Sequence, residues 1–245
     1  MSSLPPIRSI NSSALVTPMH KVLLTTQFPW RKISPKHRFA LLSSQETKNG
    51  LVATDFFLNQ SIKSPARVSY LAAEKDASRT FFNRTRALYH RLGVDLNPYF
   101  DLEDASISDI TKLFSCNVMH ISGGNTFTLL HSMQKRGILR EFYAYLEASN
   151  AIIGVSAGAM VLGHNIETAY LCGDLNETGL TDYNAINAFP TSIRVHATED
   201  DSLDSENNIL TLSDDDAVVI CDNTATSFGK PHFEPHLVKP LSKVN

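Results

Sequence analysis

From Arg38 onward the chain alternates short apolar runs with longer segments of helical period, a pattern that can be buried economically only as a mostly parallel sheet with helices on both faces. The expected strands are Phe39–Leu42, Val68–Leu71, Val94–Leu96, Val118–Ile121 and Ala151–Ile153, followed by Ile193–Val195 and Ala217–Ile220. Between them, apolar residues recur at helical spacing. One stripe comprises Phe81, Leu88, Tyr89 and Leu92 and is stopped by Gly93; a second is Leu129, Leu130 and Met133; a third is Leu139, Phe142, Tyr145 and Leu146. Residues 165–190 are rich in Asn, Asp, Thr and Gly and read as loops or short irregular strands. At 245 residues and 42% hydrophobic content, one sizeable core is possible. The expectation is a three-layer α/β domain over residues 38–229, an N-terminal extension at 1–37 and a C-terminal tail at 230–245.

Chemistry enters at Ala151-Ile152-Ile153-Gly154-Val155-Ser156-Ala157-Gly158-Ala159, where an apolar run meets a serine fenced by glycines two residues away on either side. This is the pattern of a nucleophile elbow. A buried strand turns sharply into a helix there, the serine is held in a strained conformation with its hydroxyl exposed, and close packing requires neighbours without bulk. The first helical amides then point toward the place where an anionic tetrahedral intermediate would form.

A serine needs a base to take its proton, and the base needs a group to orient it. Of the nine histidines, His196 follows the apolar-flanked Ile193-Arg194-Val195 and is the candidate; His164 lies about two helical turns beyond the serine and His120 lies inside a strand. Asp174, Glu177 and Asp182 lie between serine and histidine and are the candidate acids. A second glycine motif, Ser122-Gly123-Gly124-Asn125-Thr126-Phe127, follows the Val118–Ile121 strand. Loops at the carboxyl ends of parallel strands converge on one crevice, so Gly123-Gly124 should share it with Ser156, with the Gly124 and Ala157 amides as oxyanion donors and Asn125 as helix cap.

Composition narrows the alternatives. A formal net charge of −3 supplies no global basic field for nucleic acid. The first 45 residues are basic and acid-free, but Pro5, Pro6, Pro18, Pro29 and Pro35 break the amphipathic helix of a transit peptide, so a poorly ordered extension is expected. No apolar run approaches the ~20 residues of a membrane span. Cys116, Cys172 and Cys221 are odd in number and widely spaced, which suits a reducing cytoplasm and not a disulfide framework or a zinc site. Gly123-Gly124 lacks the third glycine and downstream acid of a dinucleotide fingerprint, and no motif calls for a metal or cofactor.

Taken together, Gly123-Gly124-Asn125-Thr126-Phe127 with Leu129-Leu130, Gly154-Val155-Ser156-Ala157-Gly158-Ala159 and His196 resemble the S51 peptidases over Phe39 to about Phe228. The resemblance implies a fold similar to class I glutamine amidotransferases, with serine in place of cysteine. It implies a serine exopeptidase of dipeptidase type acting on short peptides through an acyl-enzyme on Ser156, with His196 as base. Counting back from Phe189-Pro190 places Asp174 at the family's acidic position, with Glu177 as substitute. The chain departs from the family in Glu199–Asn208, acidic and without arginine, where members that prefer an N-terminal aspartate carry an arginine-containing helix; Arg194, two residues before His196, is the alternative grip for a substrate carboxylate. Gly123, Asn125 and Thr126 complete the expected substrate site. Two rivals are an α/β-hydrolase esterase, whose upstream His-Gly-Gly-Gly motif is missing, and a degenerate S51-like scaffold without activity.

Overall fold

The protein is described by a computed structural model covering residues 20–23, 33–61, 67–198, 209–222 and 224–233. Its elements run β1 (His20–Leu23), β2 (Arg38–Leu42), α1 (Lys48–Ser61), β3 (Val68–Ala72), α2 (Thr80–Arg91), β4 (Leu96–Asp101), α3 (Ile107–Leu113), β5 (Val118–Ile121), α4 (Thr126–Arg136), α5 (Leu139–Glu147), β6 (Ala151–Val155), α6 (Ala157–Met160), a 3-10 helix (Glu167–Cys172), β7 (Ser192–Arg194), β8 (Ile209–Thr211), β9 (Ala217–Cys221), β10 (Thr224–Phe228) and β11 (His232–Phe233).

Eight strands form one sheet in the order β1-β10-β9-β2-β6-β5-β3-β4. The five from β2 to β4 are parallel, and β9, β10 and β1 add an antiparallel flank beside β2. Alternation along each strand divides the core in two. Phe39, Leu41, Ile121 and Ile152 pack on the face covered by α4 and α5, while Ala40, Leu42, Tyr70 and Ile153 pack on the face covered by α1 and α2. Each large side chain so buried contributes about 1.5–3 kcal/mol, which is why runs without polar interruption become central strands. The result is the three-layer α/β arrangement, with a small second sheet, β11-β8-β7, beside it.

Three local expectations shift. The edge strand β4 begins at Leu96 and runs through Pro98, in place of the expected Val94–Leu96. Proline is tolerated because β4 is the last strand of the sheet and has a free side that needs no ladder donor. Phe81, expected in the core stripe of α2, is 66% exposed, and Phe82 takes the buried place one residue on. Strands β1 and β11 fall within the segments expected to be extension and tail, β1 pairing with β10 and β11 with β8. Among the described residues no helix is long and apolar enough to cross a membrane.

Candidate active site

The carboxyl end of β6 delivers Ser156 in a strained conformation, φ 50° and ψ −113°, a backbone region that costs a non-glycine residue about 1–3 kcal/mol unless the surroundings hold it. Here they do. The Ser156 amide donates to the Leu42 carbonyl at 2.9 Å, and the Gly158 amide to the Ser122 carbonyl at 3.1 Å. A Cβ at Gly154 would lie 2.3 Å from the Gly158 carbonyl oxygen, and one at Gly158 would lie 2.2 Å from that of Ile121. Strand and helix thus meet at backbone distance, and only glycine fits on either side.

His196 follows β7 with φ 54°, a left-handed conformation uncommon for its type. Its Nε2 lies 2.8 Å from Ser156 Oγ and its Nδ1 2.5 Å from Asp214 Oδ1. A carboxylate on one ring nitrogen favours the tautomer protonated there, leaving Nε2 as acceptor for the serine hydroxyl. Serine, imidazole and carboxylate are therefore in line.

Asp214 belongs to the turn between β8 and β9, and its two successors explain how an aspartate 71% exposed is held on target. Asp215 accepts from the Asn49 amide at 2.9 Å and its side-chain Nδ2 at 3.0 Å, tying the turn to the start of α1. Asp216 is buried; its Oδ2 accepts from the Ser213 amide (2.8 Å) and hydroxyl (2.7 Å), and its Oδ1 from the Lys230 amide (2.6 Å). Three consecutive carboxylates thus do three different things.

Asp214 replaces the expected acid. Asp174 does not reach the imidazole; its Oδ2 accepts from the Thr126 amide at 2.8 Å, occupying an N–H at the start of α4 that has no helical partner. Glu177 is exposed on the same loop, and Asp182 accepts from the amide and side chain of Asn184. The order along the chain is serine, histidine, aspartate, so the acid lies beyond the histidine and not in the expected interval between residues 156 and 196. A signal existed: Ser213-Asp214-Asp215-Asp216 is a polar turn between two apolar runs.

The other expected residues fall as follows. The Cβ position of Gly123 is 3.7 Å from Ser156 Oγ, so a side chain there would crowd the nucleophile. Gly124 has φ 141°, and its Cβ position abuts Ala73 and the Glu74 carboxylate, which also takes the Asn125 amide. The Asn125 side chain caps α4 by accepting from the Thr128 amide at 2.9 Å and donates to the Leu175 carbonyl at 2.9 Å. Thr126 is buried with its hydroxyl 3.6 Å from Met160 Sδ, so both residues are engaged in building the turn. No described residue accepts from the Gly124 or Ala157 amides. Arg194 is half-buried on β7. Residues 199–208, the acidic stretch without arginine, lie outside the described residues.

His120 is a buried imidazole that contacts neither Ser156 nor His196. It stacks on Tyr70 at 5.2 Å, its Nδ1 lies 2.9 Å from the Tyr89 hydroxyl, and burial pushes its pKa down to about 3. Among the described residues no group of three or more His, Cys, Asp or Glu could hold a metal ion.

The model of peptidase family S51 matches residues 39–228. The chain belongs to the S51 peptidase family. Among its relatives, an uncharacterized peptidase of Pasteurella multocida is 34% identical over 100 residues, 40% of this chain and 48% of that protein. A peptidase E of Actinobacillus pleuropneumoniae is 38% identical over 80 residues, 33% of each. The chain thus aligns with half or less of the length of these curated relatives. A crystal structure of a provisionally assigned peptidase E protein from Listeria monocytogenes superposes with a TM-score of 0.62 at 22% identity, covering 80% of this chain and 97% of that one. That of a peptidase from an acI-B1 Actinobacterium gives 0.56 at 16%, covering 82% and 92%. At such identities these two structures speak for a shared S51 fold alone.

Proposed function

We propose that the protein is a serine exopeptidase that hydrolyses short peptides through an acyl-enzyme on Ser156. The observation that carries this reading is the continuous contact from Ser156 Oγ through both nitrogens of His196 to Asp214. In the reaction, Ser156 attacks the scissile carbonyl while His196 accepts its proton. The tetrahedral oxyanion takes hydrogen bonds from the Gly124 and Ala157 amides, and the imidazolium, stabilised by Asp214, gives its proton to the leaving amine. Water then enters by the same proton route and frees the acyl group.

Short substrates are favoured by the position of the nucleophile. Ser156 stands at the end of β6, between β2 and β5 in the middle of the large sheet, far in strand order from either edge. The free side of β7 is covered by the 3-10 helix: Thr168 Oγ1 donates to the Ile193 carbonyl at 2.6 Å and Cys172 Sγ to the Val195 carbonyl at 3.2 Å. A long extended peptide would need such an edge to add itself as a strand.

The test is fluorophosphonate labelling of wild type, Ser156→Ala and His196→Ala, followed by turnover of Asp-X, Arg-X and neutral dipeptides and of simple esters. Labelling is expected in wild type only, and dipeptide kcat/KM is expected to fall by roughly 10⁴–10⁶ in either variant. Labelling that survives Ser156→Ala would remove the nucleophile from this site; turnover of esters but not dipeptides would make the protein an esterase.

A further inference from the structure

Leu42, the last residue of β2, and Ser43 just after it contact Ser156, His196 and the turn that carries Asp214, although neither belongs to the array. The Leu42 carbonyl accepts from the Ser156 amide at 2.9 Å. The Ser43 amide donates to the Asp216 carbonyl at 3.3 Å, within the turn that carries Asp214. The Ser43 hydroxyl, 1% exposed, accepts from the His196 amide at 2.9 Å and lies 3.4 Å from His196 Nδ1. Two adjacent residues therefore gather three segments that arrive from separate parts of the chain.

We propose that Ser43 is a positioning residue of the site: its buried hydroxyl holds the strained His196 backbone in place and turns the Nδ1 edge of the imidazole toward Asp214. His196 leaves β7 in a left-handed conformation that only surrounding contacts can maintain, and the Ser43 hydroxyl is the contact made by its own amide. With one lone pair engaged by that amide, the oxygen presents its remaining acceptor capacity to the Nδ1 side of the ring. A proton on Nδ1 then meets two acceptors, the Asp214 carboxylate in front and the Ser43 oxygen at longer range, whereas the opposite tautomer would face a carboxylate with a bare lone pair. Ser43 thereby supports the tautomer in which Nε2 is free to take the serine proton. It touches neither substrate nor the reacting oxygen.

This inference rests on the peptidase reading, and the experiment separates the two. Turnover of the best dipeptide is measured in wild type, Ser156→Ala, Ser43→Ala, Ser43→Cys and Ser43→Thr, together with the thermal midpoint and the low-field NMR resonance of the His196 Nδ1 proton. Ser43→Ala is expected to lower kcat by about 10- to 100-fold with KM changed by less than about threefold, since a small displacement of a catalytic group costs rate before it costs binding. The Nδ1 resonance should move or broaden in Ser43→Ala. Ser43→Thr, which restores a hydroxyl, should recover most of kcat; Ser43→Cys, which fills the space with a weak acceptor, should not, and it carries the test if Ser43→Ala folds poorly. Wild-type kcat and an unmoved resonance in the Ala and Cys variants overturn the role of Ser43 while leaving the peptidase standing. Full turnover in Ser156→Ala overturns the peptidase reading itself.

Discussion

The two halves of the site are built on opposite principles. Ser156 sits at the centre of a parallel sheet, its conformation enforced by backbone groups packed so closely that Gly154 and Gly158 admit no side chain. His196 and Asp214 come from outside the parallel strands, just past a three-residue strand and on an exposed turn, and side-chain hydrogen bonds hold them. Rigidity at the nucleophile comes from sterics, which tolerate no substitution; at the base and acid it comes from polar contacts, which can be weakened one at a time.

The sharpest way to break that contrast is at the acid. Asp214→Asn is expected to reduce kcat by about 10³-fold with the fold intact, because it removes the carboxylate that favours the Nδ1 tautomer while leaving the turn to Asp215 and Asp216. Steady-state kinetics beside a urea melt will show whether the loss lies in rate and not in stability. The opposite signature is expected from Gly158→Ala: about 4 kcal/mol or more of stability lost, seen in the same melt, since its methyl would overlap the Ile121 backbone.

A third prediction concerns the core on the face covered by α1 and α2. Burial lowers the pKa of His120 to about 3 from an ordinary value of 6.5, so the native protein keeps this ring neutral where the unfolded chain takes up a proton. Its contribution to stability is therefore complete above about pH 6.5 and is lost as pH falls from there toward 3. At pH 4.5 the cost from this residue is about 3 kcal/mol relative to pH 7, at about 1.36 kcal/mol per pH unit. Denaturant melts of wild type and His120→Phe at both pH values should show a shallower acid dependence in the variant. The smallest effect is expected from Asp174→Asn: about 1 kcal/mol of stability, as for the loss of a helix-start contact, with kcat within severalfold of wild type. A large kcat loss there would return Asp174 to the catalytic array.

What could be read without coordinates follows the same division. The parallel core was legible because the four runs of β2, β3, β5 and β6, buried on both faces, leave an apolar signal, and the elbow because its steric demand is written in glycines at fixed spacing. The histidine that meets Ser156 was legible as the one after Ile193-Arg194-Val195. The carboxylate that meets His196 was hidden because such a partner needs only spatial proximity, and Asp214 lies in an acidic stretch whose members look alike in sequence while Asp215 binds α1 and Asp216 pins the turn. The strand β4 was misplaced because Pro98 reads as a breaker unless the strand is known to lie at an edge.

The antiparallel flank has a consequence for assembly. Residues 38–155 already contain every parallel strand of the large sheet, so during vectorial synthesis the elbow can take shape before residues 214–221 emerge. Until β9 lies down against β2, the imidazole lacks its carboxylate and the Ser156–His196–Asp214 array is incomplete. The array would thus be completed late in folding, with the docking of a strand that itself carries none of its three residues.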